Sequence, residues 1–460
     1  MAQKIWSSVY NMKSLSASSK IMFLFDFIVL LSSTYFYANA FNYTEKAIIL
    51  LCFLVVFGGL IVLYLKGNYK IREFNITIKN TYLLFEGIVM AHVIPAVYLL
   101  LCAESITSTL KFLVVNTLSI FIILRIYRAL YHLYLFNIKK EKTILIIGAN
   151  NRAKIISDEI QAKKALRMKV IGFVQVSNTE EDLLTDSEFP IYKDIQNLKK
   201  IIEEKDVDIV VISEPTEFIV DIPRDVAIYK MPDFYELATG KYYIDEKTIT
   251  ELYYQYTTHR SFAYDFGKRI YDIIAALIIL IATLPITGIT ALIVWLTDKE
   301  NPIYTQPRVG IDGRVFKCYK LRTMYANDYV PKAGKINENT AGINDDRVIP
   351  FCRFVRKARF DEIPQMINIL KGDMSIVGPR AEWEDLVNIY KKEIPYYSCR
   401  MWVKTDWTGW AQINQGHCVS NEDITEKLQY DLYYLQNRDI IWEIGILVKA
   451  VFLALSGRHS

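Results

Sequence analysis

Residues 353–380 read RFVRKARFDEIPQMINILKGDMSIVGPR. An adjacent acid pair, Asp361-Glu362, stands among Arg353, Arg356, Lys357 and Arg359. Pro364, an apolar run over 366–370 and Gly372 follow. Pro in a first turn and Gly just past a last turn predict a short helix here. The acids then fall at its N-terminus, where backbone amides and peptide dipoles favour anions. Asp361 is either a helix cap, the commoner use of an Asp before a helix, or part of a site. The rest of the chain decides between them.

The chain has 460 residues, room for about two or three domains with cores of their own. Its net charge of +4 is too small to argue for nucleic acid, and no nucleic-acid partner is expected. Cys52, Cys102, Cys318, Cys352, Cys399 and Cys418 form no CxxC pair, so neither a disulfide framework nor a zinc ribbon is supported. The five histidines show no HExxH spacing, which argues against a tightly held zinc.

Residues 1–137 are far more apolar than the rest and hold four runs of near-spanning length, 21–41, 47–65, 82–103 and 110–124. Three more spans follow the first, and it lacks a small-residue cleavage site, so it does not read as a cleavable signal. Lys4, Lys13 and Lys20 precede the first run. Lys66, Lys70, Arg72 and Lys79 separate the second from the third. Arg125, Arg128, Lys139, Lys140 and Lys142 follow the fourth. The positive-inside rule then places both ends of a four-helix transmembrane bundle in the cytoplasm. Asp26, Glu86 and His92 are intramembrane ionisable candidates. They form no chain along the sequence, so the bundle reads as an anchor rather than a proton relay. Pro95 is expected to kink the third span.

Residues 138–261 alternate strands with helices. Strands are expected over 142–148, 168–176 and 206–213, with helices over 152–163 and 195–204, a pattern that argues for a parallel sheet of Rossmann type. The first turn is Gly148-Ala149-Asn150-Asn151-Arg152-Ala153. Asn150 stands where the dinucleotide fingerprint has the glycine that lets backbone approach a pyrophosphate. The domain therefore reads as degenerate, serving support, regulation or dimer contact. Tyr264-x-x-x-Lys268 imitates a dehydrogenase pattern, but it abuts an apolar segment and is taken as chance.

That apolar segment, about 270–296, carries Pro285 with Thr283, Thr287, Gly288 and Thr290 around it. Both flanks are basic, so a crossing would place one cluster outside, against the charge rule. A helix broken at Pro285 that enters and leaves on one face satisfies both facts. The stretch after it has two β-rich runs around Asp312-Gly313, a hairpin signal. Arg308, Arg314, Lys317, Lys320 and Arg322 recur through it, suited to a solvated face, acidic headgroups or phosphate.

TQPRVGIDGRVFKCYKLRTM at 305–324, RKARFDEIPQMINILKGDMSIVGPR at 356–380, TGWAQIN at 408–414 and EKLQYDLYYLQN at 426–437 together resemble the bacterial sugar transferase family, the polyprenyl-phosphate phosphoglycosyl transferases. The likeness covers about residues 262–457 in family order. The upstream bundle and α/β domain resemble the large form of that family. The resemblance implies a membrane protein with three parts: a four-span bundle at 1–137, a Rossmann-like α/β domain at 138–261 and a mainly α, α+β catalytic domain at 262–460. It implies transfer of a sugar 1-phosphate from a UDP-sugar to undecaprenyl phosphate on the cytoplasmic face of the bacterial inner membrane, with release of UMP. Asp361 would be the nucleophile and Glu362 the partner that helps hold Mg²⁺, both facing the metal. Lys320, Arg322, Arg356, Pro379 and Arg380 match positions that grip phosphates or nucleotide, and Pro285 matches the helix break of the membrane hairpin. Membrane lipids are expected partners, and a homodimer is expected from the resemblance alone.

The chain departs from the family pattern in three places. Gly-Pro-Arg-Pro is Gly378-Pro379-Arg380-Ala381, which loses one rigid turn residue. The usual Pro-Gly before Ile-Thr-Gly-Trp is replaced within Thr405-Asp406-Trp407-Thr408-Gly409-Trp410. Asp345-Asp346-Arg347 stands where Asp-Pro-Arg is common. Among neighbours, Gln306 and Arg308 suit either substrate contact or hairpin capping, Asp373 a turn, and Asp431 either ordering of the site or pairing with a base. Tyr430, Tyr433 and Tyr434 suit core or membrane-interface packing, and 440–455 suits an interfacial amphipathic helix. The rival reading is a membrane-tethered Rossmann-type oxidoreductase that modifies sugar nucleotides. A scaffold or transporter has no use for an acid pair among bases.

Overall fold

A computed structural model describes residues 17–65, 78–101, 105–138, 141–163, 167–176, 188–193, 197–213, 222–223, 226–258, 262–325, 347–416 and 420–456. Lys4, Lys13, Lys66, Lys70, Arg72, Cys102, Lys139, Lys140, Asp345, Asp346 and Cys418 lie outside them. The chain forms two compact units, 1–141 and 142–460. The expected boundary near residue 261 falls inside the second unit.

The first unit is helical: α1 (Ala17–Ala40), α2 (Glu45–Leu65), α3 (Ile78–Ala91), α4 (Val93–Leu101) and α5 (Ile106–Ile138). Its core is a seam of Leu30, Val55, Leu63, Leu84, Ile88, Ile120 and Leu124, while Phe36, Phe53, Phe57 and Ile122 face outward. Apolar residues on the outside as well as the inside mark a helix set whose solvent is lipid. The third run is two helices rather than one kinked helix. Pro95 has no N–H and its ring crowds the carbonyl four residues back, Ala91, where α3 ends. His92 sits in the break, its Nδ1 2.8 Å from Ile88 O and its Nε2 3.1 Å from Asn116 Nδ2. Asn116 also bonds Ser33 at 2.9 Å and Thr34 at 3.2 Å. A buried polar chain therefore does exist in the bundle. It is invisible along the sequence because two of its members are hydroxyls and its ends lie on different helices. Asp26, fully buried, takes a hydrogen bond from Arg128 Nη2 at 2.6 Å.

The second unit opens on an all-parallel sheet of β1 (Lys142–Ile147), β2 (Met168–Val174), β3 (Ile191–Tyr192), β4 (Ile209–Ile212) and β5 (Ala227–Lys230), ordered β3-β2-β1-β4-β5. β1 lacks alternation because both its faces are covered, and Ile144, Leu145 and Ile146 are fully buried. Around it run α6 (Asn151–Ala162), α7 (Leu198–Glu204), α8 (Met231–Thr239) and α9 (Glu246–Thr258).

Helix α10 (Phe262–Asp298) follows. The sequence predicts a break at Pro285, but the structure carries one helix through the proline without interruption. Proline removes a single backbone donor. Nearby hydroxyls reinforce the turns on either side: Thr283 Oγ1 bonds Ile279 O at 2.6 Å and Thr290 Oγ1 bonds Ile286 O at 2.8 Å. Arg269 near one end donates to Ile369 O and Leu370 O, and Val294 near the other packs with Val348, Ile349 and Cys352. Between these two anchors Ile278, Ile281, Leu284 and Ile289 are exposed. Five helices among the described residues, α10 included, are long and apolar enough to cross a membrane, and the chain is a membrane protein.

A hairpin of β6 (Ile303–Val309) and β7 (Val315–Leu321) comes next, turning at Asp312-Gly313 with both residues at positive φ, as its sequence predicts. Then follow α11 (Cys352–Lys357), a 3₁₀ turn Phe360–Glu362, α12 (Gln365–Lys371), β8 (Ser375–Val377), β9 (Glu382–Trp383) and α13 (Glu384–Glu393). A 3₁₀ stretch Tyr397–Trp402, β10 (Asp406–Thr408), α14 (Trp410–Asn414), α15 (Asn421–Gln436) and α16 (Ile440–Ser456) complete the unit. β9 adds to the hairpin edge beside Arg308-Val309, and β8 lies parallel to β10. The parallel-sheet layer is tied to α14 and α15 by Lys241, which bridges Glu159 at 2.9 Å and Glu426 at 2.7 Å, and by Trp410 Nε1 donating to Gly240 O at 2.9 Å.

Candidate active site

The acid pair is not the cap of α12. Pro364 occupies the cap position with no side-chain hydrogen bond, and the acids sit one turn earlier on the 3₁₀ turn. Gly372 ends α12 in the left-handed conformation at φ 94°, where a side chain would be strained. Arg359, at φ 58°, makes the bend that separates α11 from the acids. The turn packs against α10, α11 and β7, so residues far apart in sequence converge on it.

Glu362 is buried and ringed by cations. Lys320 Nζ donates to its Oε1 at 2.9 Å, Arg380 Nη2 lies 3.7 Å from the same oxygen, and Arg359 Nη1 lies 3.8 Å from Oε2. Burial opposes its charge, but Lys320, Arg380 and Arg359 outweigh burial and hold the carboxyl well below the usual range. Asp361 has the opposite environment. Burial and then the charge of Glu362 push its carboxyl up to about 6, against the weaker pull of Lys320 and Arg356. The cations around Glu362 thus favour its anion, while burial and the charge of Glu362 raise the proton affinity of Asp361.

Of the residues singled out in sequence, Lys320, Arg356 and Arg380 surround the pair, and Arg356 Nη1 also approaches Thr323 Oγ1 at 3.5 Å. Arg322 anchors the hairpin end through its backbone, N to Pro302 O at 2.8 Å. Pro379 offers its carbonyl to Asp406 N at 3.0 Å. Pro285 lies within the apolar span of α10. Asp373 accepts from Asn368 Nδ2 at 3.3 Å at the end of α12, a turn contact. Asp431 pairs with Arg400 at 2.8 Å. Gln306 and Arg308 are joined to each other: Arg308 is buried and donates to Gln306 Oε1 and to Ala381 O, both at 2.9 Å. Tyr430 and Tyr434 are core residues, the latter donating to Val377 O at 2.9 Å. On α16, Trp442 and Ile446 are buried while Val448 and Phe452 face outward. Tyr264 and Lys268 meet Glu443, at 2.8 Å and 2.7 Å, a packing pair and not a dehydrogenase site.

The sequence reading misses Asp272. This buried acid on α10 accepts from Ser375 Oγ and Ile376 N, both at 3.0 Å, and pairs with Lys268 at 2.7 Å. An acid inside an apolar run, four residues after a lysine, is the signal that was there to use. The strand behind the site is packed backbone to backbone: a Cβ on Gly409 would come within 2.1 Å of Gly378 O. In the parallel-sheet layer, Asn150 Oδ1 accepts from Ala153 N at 2.9 Å and from Ser213 Oγ at 2.8 Å. It is the cap of its own helix.

Among the described residues no three His, Cys, Asp or Glu side chains gather as a metal cage. The acid pair suits the other way Mg²⁺ is held, by one or two carboxylates with the remaining ligands from phosphates. Asp361 offers an oxygen whose charge Lys320 and Arg356 offset only in part, and among the described residues Arg359 approaches Glu362 Oε2 at 3.8 Å.

The family described as bacterial sugar transferase matches residues 263–457. An Aeromonas hydrophila protein named UDP-N-acetylgalactosamine-undecaprenyl-phosphate N-acetylgalactosaminephosphotransferase is 33% identical over 50% of this chain and 53% of its own length. A Salmonella typhimurium undecaprenyl-phosphate galactose phosphotransferase is 27% identical over 69% of this chain and 68% of its own. A Caulobacter vibrioides UDP-glucose:undecaprenyl-phosphate glucose-1-phosphate transferase is 31% identical over 41% of this chain and 70% of its own. The chain spans 53%, 35% and 39% of the first three curated relatives it matches.

Proposed function

The chain belongs to the bacterial sugar transferase family, and from that premise we propose that it moves a sugar 1-phosphate from a UDP-sugar to undecaprenyl phosphate. The observation that carries this is the geometry of the acid pair: Glu362 is tied to Lys320, Arg380 and Arg359, and Asp361 stands buried beside it. A carboxyl at about 6 is ionised at neutral pH yet more basic than an ordinary aspartate, the combination a nucleophile needs. In the first step an Asp361 oxygen bonds the phosphorus next to the sugar, and the bond from that phosphorus to the bridging oxygen breaks. UMP leaves with the electron pair. In the second step a phosphate oxygen of the lipid bonds the same phosphorus, and the Asp361 carboxylate is released.

Pyrophosphate and carboxylate repel one another, so cations must offset the charge. Lys320 and Arg380 fix Glu362 and, with Arg356, would offset the charge of the pyrophosphate, while Arg322 and Pro379 would contact phosphate or nucleotide. Asp361 and Glu362 would hold Mg²⁺, which when bound supplies positive charge to the pyrophosphate oxygens. Both ends of α10 pack on the same compact unit and its apolar middle is exposed, which supports a helix that is bent at Pro285 rather than broken, dips into the bilayer and keeps both flanks on the cytoplasmic face. A lipid headgroup and a soluble nucleotide then meet on one side. The α/β layer reads as a Rossmann-type domain that braces α14 and α15 through Lys241 and Gly240. The relatives' names cite three different sugars, so the sugar stays unassigned.

The test is a single turnover without lipid acceptor. UMP released in an amount equal to the enzyme, with labelled sugar phosphate left on the protein, supports the two-step reading. UMP that appears only after undecaprenyl phosphate is added overturns it. Cysteine labelling of both α10 flanks from the cytoplasmic side checks the topology, and labelling of residue 299 from outside would contradict it.

A further inference from the structure

Two successive carbonyls in the segment after β8 are each taken by a buried guanidinium from a different element. Arg400 Nη2 donates to Arg380 O at 3.0 Å, and Arg308 Nη1 donates to Ala381 O at 2.9 Å. Neither arginine is free to turn. Arg400 is 4% exposed and is oriented by Asp431 Oδ2 at 2.9 Å and Tyr397 OH at 2.9 Å. Arg308 is 7% exposed and is oriented by Gln306 Oε1 at 2.9 Å. Between them the Arg380 side chain, one-third exposed, reaches toward Glu362.

Arg380 also pairs in parallel with Asp406, whose N–H reaches Pro379 O at 3.0 Å, so this stretch is held by a backbone bridge as well as by the two guanidinium groups. We propose that Arg308 and Arg400 are positioning residues for Arg380, holding the carbonyls of residues 380 and 381 so that its side chain stays aimed at Glu362. The inference rests on Arg380 acting at the phosphate side of the proposed site. A planar, two-armed donor suits this role, because one arm grips the carbonyl while the other is fixed by a neighbour. An isolated amine at 308 or 400 could not do both.

The experiment takes Arg308→Gln, Arg308→Lys, Arg400→Gln and Arg400→Lys in the full-length membrane protein. Sugar phosphate transfer and backbone hydrogen exchange are both measured. The expected loss in kcat/KM is about 100-fold for each Gln variant, the size of an ångström-scale misplacement. Each Lys variant keeps the charge and one of the bonds, and loses about tenfold. Exchange in the Gln variants rises at residues 378–382 and not across the unit. Exchange that rises throughout, or transfer that stays at the wild-type rate while exchange at 378–382 rises, overturns the inference and makes the arginines general packing. If a Gln variant does not fold, the Lys variant at that position is read by the same criteria. A wild-type protein that transfers nothing defeats the proposed function, while the exchange data still decide the positioning role.

Discussion

Two bends in the second unit bring a polar side chain to the start of a helix, at residues 148–153 and 359–362, and they do opposite things with it. Asn150 is closed on itself: its amide oxygen caps α6 and takes the Ser213 hydroxyl. Asp361 caps nothing, is burdened by burial and by a neighbouring carboxylate, and would gain from any cation or electrophile offered to it. A polar group whose bonds are already satisfied inside the fold is a structural part. One left with excess proton affinity beside fixed cations is a reactive part.

The sharpest way to break this contrast is Asp361→Asn. Transfer is expected to fall on the order of 10⁴-fold or more, as for loss of a nucleophile. Folding should not suffer: a carboxyl raised above its unfolded value is held at a cost once the pH passes that value, and the amide removes that cost. Thermal unfolding at pH 8 and a membrane transfer assay check both halves, and a rate near wild type would sink the nucleophile assignment. Glu362→Gln should lower transfer by about 100-fold to 1000-fold, by loss of a fixed charge, and should shift the acid limb of the pH profile downward, since the neighbouring charge that raises Asp361 is gone. That limb is itself a prediction. In wild type, kcat/KM should fall about tenfold per pH unit below about 6, because Asp361 must be ionised to attack. A flat profile down to pH 5 would show that another group controls the step. The smallest effect belongs to the other bend. Asn150→Ala should cost about 1 kcal/mol of stability as a lost cap and leave the transfer rate where it was. A large loss of transfer with folding intact would mean the α/β layer takes part in catalysis.

Local features were legible wherever short-range chemistry decides. The Asp312-Gly313 turn, the Gly372 stop and the strands around β1 follow from backbone preferences within a few residues. Proline was harder to read. At Pro95 the structure breaks the helix outright, while at Pro285 it carries the helix through. The difference lies in what surrounds each: a buried His92 and Asn116 sit at the first, and side chains that bond back to the helix flank the second. Asp272 and Arg400, and the bond that Arg308 makes, were not legible because their partners, Ile376, Arg380 and Ala381, lie 104, 20 and 73 residues away.

By itself the sequence determined the apolar helices, the parallel sheet, the hairpin and the acid pair, because periodicity, turn residues and hydropathy act over a few neighbouring positions. The tertiary structure alone decided that the surroundings of the two acids differ. That difference depends on distances from Glu362 to Lys320 and Arg380, set by strands and turns that only the folded chain brings together.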